Sequence, residues 1–485
     1  MAKTPEVLRA NDIRQWGDTA DVIIVGYGGA GASAAIEARR ARADVLVLER
    51  ASGPGGATSI AGGHVYMGGG TPVQVACGFE DTAEEMYKYL HALTPDPDER
   101  KLRLYAEESV AHFHWLEAAG VPFERSYYPG KTAMQPGSEC LIWSGNEKAW
   151  PFRDIAKPAP RGHKVALASG EAGSLLMKQL VATAKRLGVR MLCDTGATAL
   201  IAGADGTIVG VRARRFDEVL TVRARSGVVL AAGGYIMNEE MFANELAWMP
   251  RDLIKHGTTY DDGSGILLGM SAGGQPMRLD QAFLTSPFYP PESLIKGILV
   301  NAEGKRFVAE DCYHGRTAGF IVDQPQGIAY LVLDSEIFGY PPYDYFEQRL
   351  VDGFETVAEM EAGLSLPPGA LVRTVETYNA NVRAGGDLEF HKYGDWLKPL
   401  DTPPYAAFDL SIGRAKYAGF SLGGLRTSAN AEVLTEAGEP VPRLYAAGAS
   451  AWNVAQDARG YSSGTCIGEA TFFGRRAGRF AARAR

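Results

Sequence analysis

The sequence predicts an α/β fold in two parts: a domain built on a parallel sheet, and an α+β domain inserted into it. Three observations support this fold class. A strand, a glycine-rich turn, a helix and a second strand follow one another in residues 21–50, which is the order of a βαβ unit. Aromatic residues and prolines cluster in residues 275–401, and short strands with glycine turns resume at 413–450. The predicted segments are 1–275 and 401–485 for the first domain and 276–400 for the inserted domain.

Composition limits the classes of function. The chain has 485 residues, of which 46% are hydrophobic and 22% charged, as in ordinary globular proteins. A net charge of −8 argues against nucleic acid and anionic membranes as partners. No apolar run is long enough for a transmembrane segment, and the start of the chain lacks the apolar core of a signal peptide. The five cysteines show no close pairing, so we expect a cytoplasmic protein with no disulfide scaffold and no metal site.

The βαβ unit reads "DVIIVGYGGAGASAAIEARRARADVLVLER". Its first strand, around residues 22–25, leads into the pattern G-x-G-x-x-G at Gly26, Gly28 and Gly31. These glycines allow a tight turn, a close approach of the backbone to a pyrophosphate, and close packing of helix on strand. Glu49 ends the second strand at the spacing expected for an acid that binds a ribose hydroxyl. The unit therefore predicts a Rossmann-type dinucleotide-binding domain.

A second glycine-rich loop, "ERASGPGGATSIAGG" at 49–63, distinguishes FAD from NAD. Small residues and hydroxyls at adjacent positions suit a second phosphate and a flat ring system. The loop resembles the G-G-x-[S/T]-x-x-[A/S]-x-G motif of the flavoprotein family of fumarate reductase, succinate dehydrogenase and the 3-ketosteroid dehydrogenases. The resemblance implies a glutathione reductase-like FAD-binding domain. Gly56 stands where succinate dehydrogenases have the histidine that tethers the flavin, so non-covalent FAD is expected.

The elements that follow fit this family. Apolar spacing predicts helices at 81–93, 98–119 and 173–188, and Asp81 with Glu84 resembles a capping box. By the resemblance, the strand at 226–234 and the segment at 413–450 return to the flavin, and the helix after Gly464 directs its N-terminus at the flavin pyrimidine. The candidate cofactor-binding residues are Gly26, Gly28, Gly29, Ala30, Gly31, Glu49, Arg50, Gly56, Ala57, Thr58, Ser59, Gly62, Gly63, Ala232, Gly233, Gly448, Ala449, Gly464, Thr465 and Ile467.

Two places depart from the fumarate reductase pattern. The inserted domain of those enzymes carries G-x-R-F-x-x-E-x-x-x-R, and "GKRFVAEDCYHGR" keeps the pattern except that His314 replaces the last arginine. The second substrate-binding arginine aligns with Tyr461 in "DARGYSSGTCI". A dianion buried here would lack cationic partners at a cost of several kcal/mol. The expected substrate is therefore a small, neutral, apolar ketone.

Phenols suit desaturation beside a ketone, which needs a donor to the carbonyl oxygen and a base for the α proton. Tyr313, Tyr461 and Ser463 resemble the catalytic set of the 3-ketosteroid Δ4-(5α)-dehydrogenases, which implies a steroid substrate. By the resemblance, Tyr461 and a backbone N–H of 462–465 bind the ketone, and Tyr313 with Ser463 handles the proton. A tyrosine base needs its pKa lowered, and His314 and Arg316 are candidate cations for this.

Other functions stay open at this stage. A 3-ketosteroid Δ1-dehydrogenase, a fumarate- or urocanate-type ene-reductase, and a non-enzymatic flavin-binding protein are the alternatives. Because the chain has one Rossmann loop and no other evident NAD(P) site, a quinone-like or artificial electron acceptor is expected. Ser462 or Ser463 could also cap the helix that follows, and the sequence does not separate capping from catalysis.

Overall fold

A computed structural model describes residues 3–168 and 170–484; the outermost residues of the predicted segments lie outside this part. The helices are α1 Gly29–Arg40, α2 Gly56–Ile60, α3 Pro72–Ala76, α4 Ala83–Leu93, α5 Glu99–Glu107, α6 Ser109–Ala118, α7 Phe152–Ile155, α8 Ala172–Arg186, α9 Glu239–Glu245, α10 Ser264–Ser271, α11 His314–Ile321, α12 Val357–Gly363, α13 Ala370–Arg383 and α14 Thr465–Ala481.

The strands are β1 Leu8–Arg9, β2 Asp18–Val25, β3 Val45–Leu48, β4 His64–Tyr66, β5 Leu141–Ile142, β6 Gly162–Lys164, β7 Arg190–Leu192, β8 Thr195–Ala202, β9 Ile208–Arg215, β10 Glu218–Leu230, β11 Ile254–Lys255, β12 Pro276–Met277, β13 Ala282–Thr285, β14 Ile298–Asn301, β15 Ala329–Asp334, β16 Arg349–Phe354, β17 Tyr405–Asp409, β18 Ala418–Ser421, β19 Gly424–Leu425, β20 Glu432–Leu434 and β21 Pro440–Ala446.

The main sheet has nine strands within the described residues. Its parallel part runs β7-β3-β2-β10-β21, with Val22 opposite Val45 and Val228 opposite Leu444. The last four residues of β2 and all four of β3 are buried and apolar, as is typical of strands inside a parallel sheet. The first half of β10 pairs instead with β9 in an antiparallel meander that includes β8. The α/β fold class is confirmed, and the carboxyl ends of β2 and β10 bring Gly26 and Gly233 to one edge.

Helices α1 and α14 lie against each other through small residues. A Cβ on Gly474 would be 2.4 Å from the Ala30 carbonyl oxygen, and one on Gly478 would be 2.0 Å from that of Ala34. Only glycine permits this approach of the two backbones. The contact joins the first dinucleotide-binding helix to the C-terminal helix, although more than 400 residues separate them in sequence.

A second, antiparallel sheet runs β14-β15-β17-β16; α12 lies against β16 and β17, and α13 lies against α12. The buried Arg306 joins its parts, since its guanidinium pairs with Glu310 at 2.8 Å and with Asp387 at 2.9 Å. This arrangement agrees with an inserted α+β unit. The domain boundaries remain a prediction. If the inserted unit ended at residue 400, β17 would lie outside it although β17 pairs with β15 in its sheet. The pairing therefore favours an end after Asp409.

Two local predictions need correction. Helix 98–119 is divided into α5 and α6 at Glu108. The capping box at Asp81 and Glu84 is wrong, because Thr82 caps α4 by accepting the Glu85 N–H at 3.1 Å. The Asp81 carboxylate is instead buried against Arg161, 2.7 Å from its guanidinium.

Candidate active site

The turn after β2 forms the first wall of a cradle for a dinucleotide. Gly26 has φ +98°, and a Cβ on it would lie 2.3 Å from the Ala231 carbonyl oxygen. A Cβ on Gly31 would lie 2.0 Å from the Gly26 carbonyl oxygen. Gly28 is different: it caps α1 without a side chain, and a Cβ on it would meet nothing nearer than 3.8 Å. The N-terminus of α1 is therefore accessible to an anionic group, as phosphate binding requires.

The second glycine-rich loop faces this turn. The Cα of Gly28 lies 3.2 Å from where a Cβ on Gly56 would be, and Thr58 accepts the Gly29 N–H at 3.2 Å. Ala57 and Ser59 belong to the same short helix, α2. The loop then continues through Gly62 and Gly63 into β4. The two motifs that indicated a nucleotide and a flavin thus form one continuous surface.

Of the three other predicted segments, two lie at the edge of the main sheet beside Gly26 and α1, and the third lies against β4. Ala232 and Gly233 lie beside Gly26 and Ser450, whose hydroxyl donates to the Gly233 carbonyl oxygen at 3.0 Å. Gly448 and Ala449 lie beside α1, since a Cβ on Gly448 would be 2.9 Å from the Ala30 Cβ. Gly464 has φ +97° and lies against β4. It directly precedes α14, to which Thr465 and Ile467 belong.

Glu49 is buried among backbone donors, whereas Arg50 lies at the surface. The Glu49 carboxylate accepts the backbone N–H groups of Tyr27 at 2.7 Å and Ala51 at 2.8 Å, and burial raises its pKa. Arg50 pairs with Asp262 across the surface and lies over the Tyr260 ring. The glycine cradle, the open helix N-terminus and the buried acid fit FAD.

Tyr313 and Tyr461 meet in an aromatic cluster where the inserted segment contacts the flavin domain. Their ring centroids are 6.3 Å apart, and Phe283 packs 4.5 Å from Tyr461. We call this group the tyrosine cluster; its members are Phe283, Tyr313, Leu422, Ala455 and Tyr461, with Phe420 and Cys466 packed against it. None of these side chains carries a charge at neutral pH.

The Tyr313 and Ser463 side chains line the same small cavity, and Ser463 is close enough to the phenol to influence its pKa. Burial raises the pKa of Tyr313 far above its ordinary value, and Ser463 opposes that rise. The idea that His314 supplies a positive charge is wrong. Burial lowers the pKa of His314 to about 3, so this imidazole is neutral at physiological pH and pairs with Thr285.

Arg316 is engaged elsewhere. Its guanidinium lies 5.0 Å from the ring centroids of both Phe152 and Phe320, and it donates to the Arg459 carbonyl oxygen at 3.3 Å. Arg316 is not among the groups that shift the pKa of Tyr313. Burial of the phenols is therefore the dominant influence, and it keeps both tyrosines protonated.

Tyr461 lies beside the start of α14. Burial raises its pKa well above the ordinary value, and its hydroxyl contacts the thiol and the backbone N–H of Cys466. Of the backbone donors at 462–465, that of Ser463 bonds to the Ser144 carbonyl oxygen at 2.7 Å and that of Thr465 to Ser462 at 3.1 Å. The backbone N–H that could donate to a ketone oxygen is therefore that of Ser462 or Gly464.

Neither serine caps the helix that follows. The N-cap of α14 is Gly464, with no side-chain cap. The Ser462 hydroxyl pairs with the Tyr89 hydroxyl at 2.9 Å, whereas Ser463 lies close to Tyr313. The two adjacent hydroxyls therefore have separate neighbours.

Sequence reasoning missed the loop beneath these serines. Ser144, Asn146 and Tyr89 contact the 461–463 turn or Tyr313, yet no motif marks them. The only signal was the aperiodic, aromatic-rich composition of 121–165. Within that stretch, Tyr127 accepts from the Trp143 indole at 2.8 Å instead of joining the tyrosine cluster.

In residues 3–168 and 170–484, no three His, Cys, Asp or Glu side chains lie together as metal ligands would. Across those same ranges, the helices are too short or too polar to cross a bilayer.

A dinucleotide cradle beside a buried cluster of tyrosines is the arrangement of a flavin-dependent oxidoreductase. A family model described as an FAD binding domain matches residues 21–465, and the chain belongs to that family. The 3-oxo-5-alpha-steroid 4-dehydrogenase of Comamonas testosteroni is 30% identical over 505 residues, covering 90% of this chain and 93% of that protein.

Solved structures agree. The 3-ketosteroid-delta4-(5alpha)-dehydrogenase from Rhodococcus jostii RHA1, in complex with 4-androstene-3,17-dione, superposes with a TM-score of 0.93 at 40% identity, covering 98% of this chain and 99% of that one. The open conformation of a flavocytochrome c3 fumarate reductase superposes with a TM-score of 0.66 at 25% identity, covering 97% and 79%. The expected flavoprotein family and its FAD cofactor are confirmed.

Proposed function

We propose that the protein is a 3-ketosteroid Δ4-(5α)-dehydrogenase, which introduces a C4–C5 double bond into a saturated 3-ketosteroid. The observation that carries the proposal is the uncharged tyrosine cluster, in which the Tyr313 phenol lies close to Ser463. Such a cluster suits a neutral ketone. The cation that lines the same cavity, Lys131, donates to the Asp311 carbonyl oxygen. The steroid substrates of the Comamonas and Rhodococcus relatives support it.

Tyr461 polarises the ketone in this proposal. Its raised pKa keeps the phenol protonated, so it donates a hydrogen bond to the oxygen on which enolate charge develops. The backbone N–H of Ser462 or Gly464 is the second donor. Donors that are fixed before the reaction stabilise this charge without reorganisation.

Tyr313 and Ser463 act together on the α proton. The C4–H bond breaks, its proton passes to the hydroxyl pair, and its electron pair forms the C4–C5 double bond as C5 loses a hydride. FAD, when bound, supplies the hydride acceptor. Because Tyr313 is protonated in the resting site, the pair takes the C4 proton only as the Tyr313 phenol passes its own proton to Ser463 and Ser463 passes one on to solvent, so the pair ends with the protons it began with.

The residues of the glycine cradle hold the cofactor, and we propose that they bind FAD non-covalently. Gly56 offers no nucleophile for a tether. A quinone-like compound or an artificial dye is the proposed electron acceptor. We propose a cytoplasmic location because the cysteines in the described residues are all free thiols.

Anaerobic mixing of the holoprotein with a 3-keto-5α-steroid tests the function. Bleaching of the flavin and a product with a C4–C5 double bond are expected. A C1–C2 double bond would assign the Δ1 reaction instead. An unbleached flavin that fumarate reoxidises after chemical reduction would assign an ene-reductase, and a chain that takes up no FAD would refute every enzymatic function.

A further inference from the structure

One short loop holds both halves of the hydroxyl pair. We call residues 144–147, of sequence "SGNE", the platform loop. Tyr313 belongs to the inserted segment and Ser463 to the returning C-terminal segment, so their backbones are far apart in sequence. The platform loop comes from neither, and it bonds to both.

Asn146 provides the contact with Tyr313. This asparagine is 1% exposed, and its Oδ1 accepts the Tyr313 backbone N–H at 2.9 Å. That N–H belongs to the N-cap residue of α11, which the helix itself leaves without a partner. A single buried side chain therefore fixes the position of the Tyr313 backbone.

The same loop fixes the serines. The Asn146 backbone N–H donates to the Tyr89 hydroxyl at 2.7 Å, and that hydroxyl pairs with Ser462 at 2.9 Å. The Ser144 carbonyl oxygen accepts the Ser463 N–H at 2.7 Å. A Cβ on Gly145 would lie 2.1 Å from the Ser462 Oγ, so the loop and the 461–463 turn are in direct contact.

The loop is itself anchored. Glu147 is fully buried, and its carboxylate accepts the Gly145 N–H at 2.9 Å and the Tyr66 hydroxyl at 3.2 Å. Burial raises the pKa of Glu147. These contacts make the platform loop a fixed reference for two segments that also contact each other directly, since the Arg459 guanidinium donates to the Gly319 carbonyl oxygen at 3.1 Å.

We propose that Asn146 is a positioning residue that sets the distance between the Tyr313 and Ser463 hydroxyls. The inference rests on the proposed function for its kinetic consequence. Displacing a catalytic group by about 1 Å can cost on the order of 100-fold in rate. Tyr461 lies in the 461–463 turn, which is held by the Ser144 carbonyl oxygen and the Tyr89 hydroxyl and not by the Asn146 side chain, so binding of the ketone is not expected to change.

Asn146→Ala in the holoprotein tests this. We expect kcat for steroid-driven flavin reduction to fall about 10- to 100-fold, with KM and FAD content near parental. Asn146→Asp should recover much of the rate, because a carboxyl oxygen accepts the Tyr313 N–H whether or not the group is ionised. Asn379→Ala is the matched control: that buried asparagine bonds to the Leu400 backbone, within the inserted domain, and its loss should lower Tm without changing kcat.

A crystal structure of the Asn146→Ala holoprotein separates this inference from the proposed function. A lengthened Tyr313–Ser463 hydroxyl distance supports the positioning role whatever the substrate is. An unchanged distance with parental kcat overturns it, as does an equal loss of kcat in Asn379→Ala. If Asn146→Ala does not fold, Tyr89→Phe decides: a slower enzyme with full FAD supports the platform, and a parental rate refutes it. Failure of the parental protein to oxidise steroid refutes the function alone.

Discussion

Single residues in this site are distinguished by their partners, and the adjacent serines illustrate this. Ser463→Ala removes the hydroxyl close to Tyr313 and should lower kcat by about 100-fold or more, in the range of lost acid–base groups. Ser462→Ala removes only the partner of Tyr89 and should mainly lower Tm. Stopped-flow flavin reduction and thermal melts of both variants check this. Equal rate losses would mean that the two hydroxyls have no separate roles.

Tyr461→Phe keeps the ring that packs on Phe283 and removes the hydroxyl. Flavin reduction by the steroid should slow by about 10²–10³-fold, as when one donor to a developing oxyanion is lost. FAD content should stay parental, because no cradle residue changes. Normal reduction in this variant would refute the role of Tyr461.

The stability of the folded protein is expected to depend on pH through Glu469 of α14. Its carboxylate accepts the N–H groups of Val454 at 2.7 Å and Ala455 at 3.0 Å, and burial raises its pKa from 4.5 to about 7, despite the opposing charge of Lys101. Between these values the unfolded chain has released a proton that the folded protein keeps. The stability contributed by this group is therefore full below pH 4.5 and is lost as the pH rises to about 7.

Glu469→Gln should remove that component. Relative to the variant, the parent should lose a few degrees of Tm as the pH rises from 4.5 to 8. Thermal melts of the two holoproteins across this range measure the difference. A constant difference would place the pKa of Glu469 outside the window.

The proposed catalytic side chains follow from sequence motifs, whereas their ionisation does not. Tyr313, Tyr461 and Ser463 stand at motif positions, so a resemblance locates them. The charge of His314 depends on burial by residues distant in the chain, and the sequence does not show that burial. Asn146 belongs to no motif, because its role arises only where three distant segments meet.

At the scale of elements, the contact between α1 and α14 is the most sensitive. Gly478→Ala places a methyl group against the Ala34 carbonyl oxygen and should destabilise the protein by about 1–3 kcal/mol, as overpacking does. Gly386→Ala is the control, since a Cβ there meets nothing within 4 Å. Thermal melts of both variants test this; equal Tm values would show that the helices separate without cost.

Helices and strands with strong apolar periodicity were predicted well, and those defined by tertiary contacts were not. β3 and the helix at 173–188 lie close to their predicted bounds. The break between α5 and α6 left no clear pattern. Asp81 stands at a position typical of a capping residue, but its carboxylate forms an ion pair with Arg161. The two residues are far apart in sequence, so only the folded chain brings them together.

For the whole molecule, cofactor and fold are linked. We propose that FAD is held by five chain segments that are distant in sequence. Adding FAD to cofactor-depleted protein should therefore raise Tm with the logarithm of its concentration, and it should add about 2.7 kcal/mol of stability at 100 times Kd. FMN is the matched control, because it lacks the adenosine half that the Gly26–Gly31 turn and Glu49 face. An equal shift with FMN would contradict the assigned cradle.

The uncharged tyrosine cluster has a consequence for how substrate arrives. The molecule carries a net charge of −8, which steers ions over distances of about a Debye length, but it exerts no such pull on a neutral ketone. Association should therefore be a slow, unsteered encounter whose second-order rate constant is the same at 20 mM and at 500 mM salt. Supply would then depend on the free concentration of a poorly water-soluble compound, so detergents or carriers that hold steroid in solution should govern the measured flux more than ionic strength does.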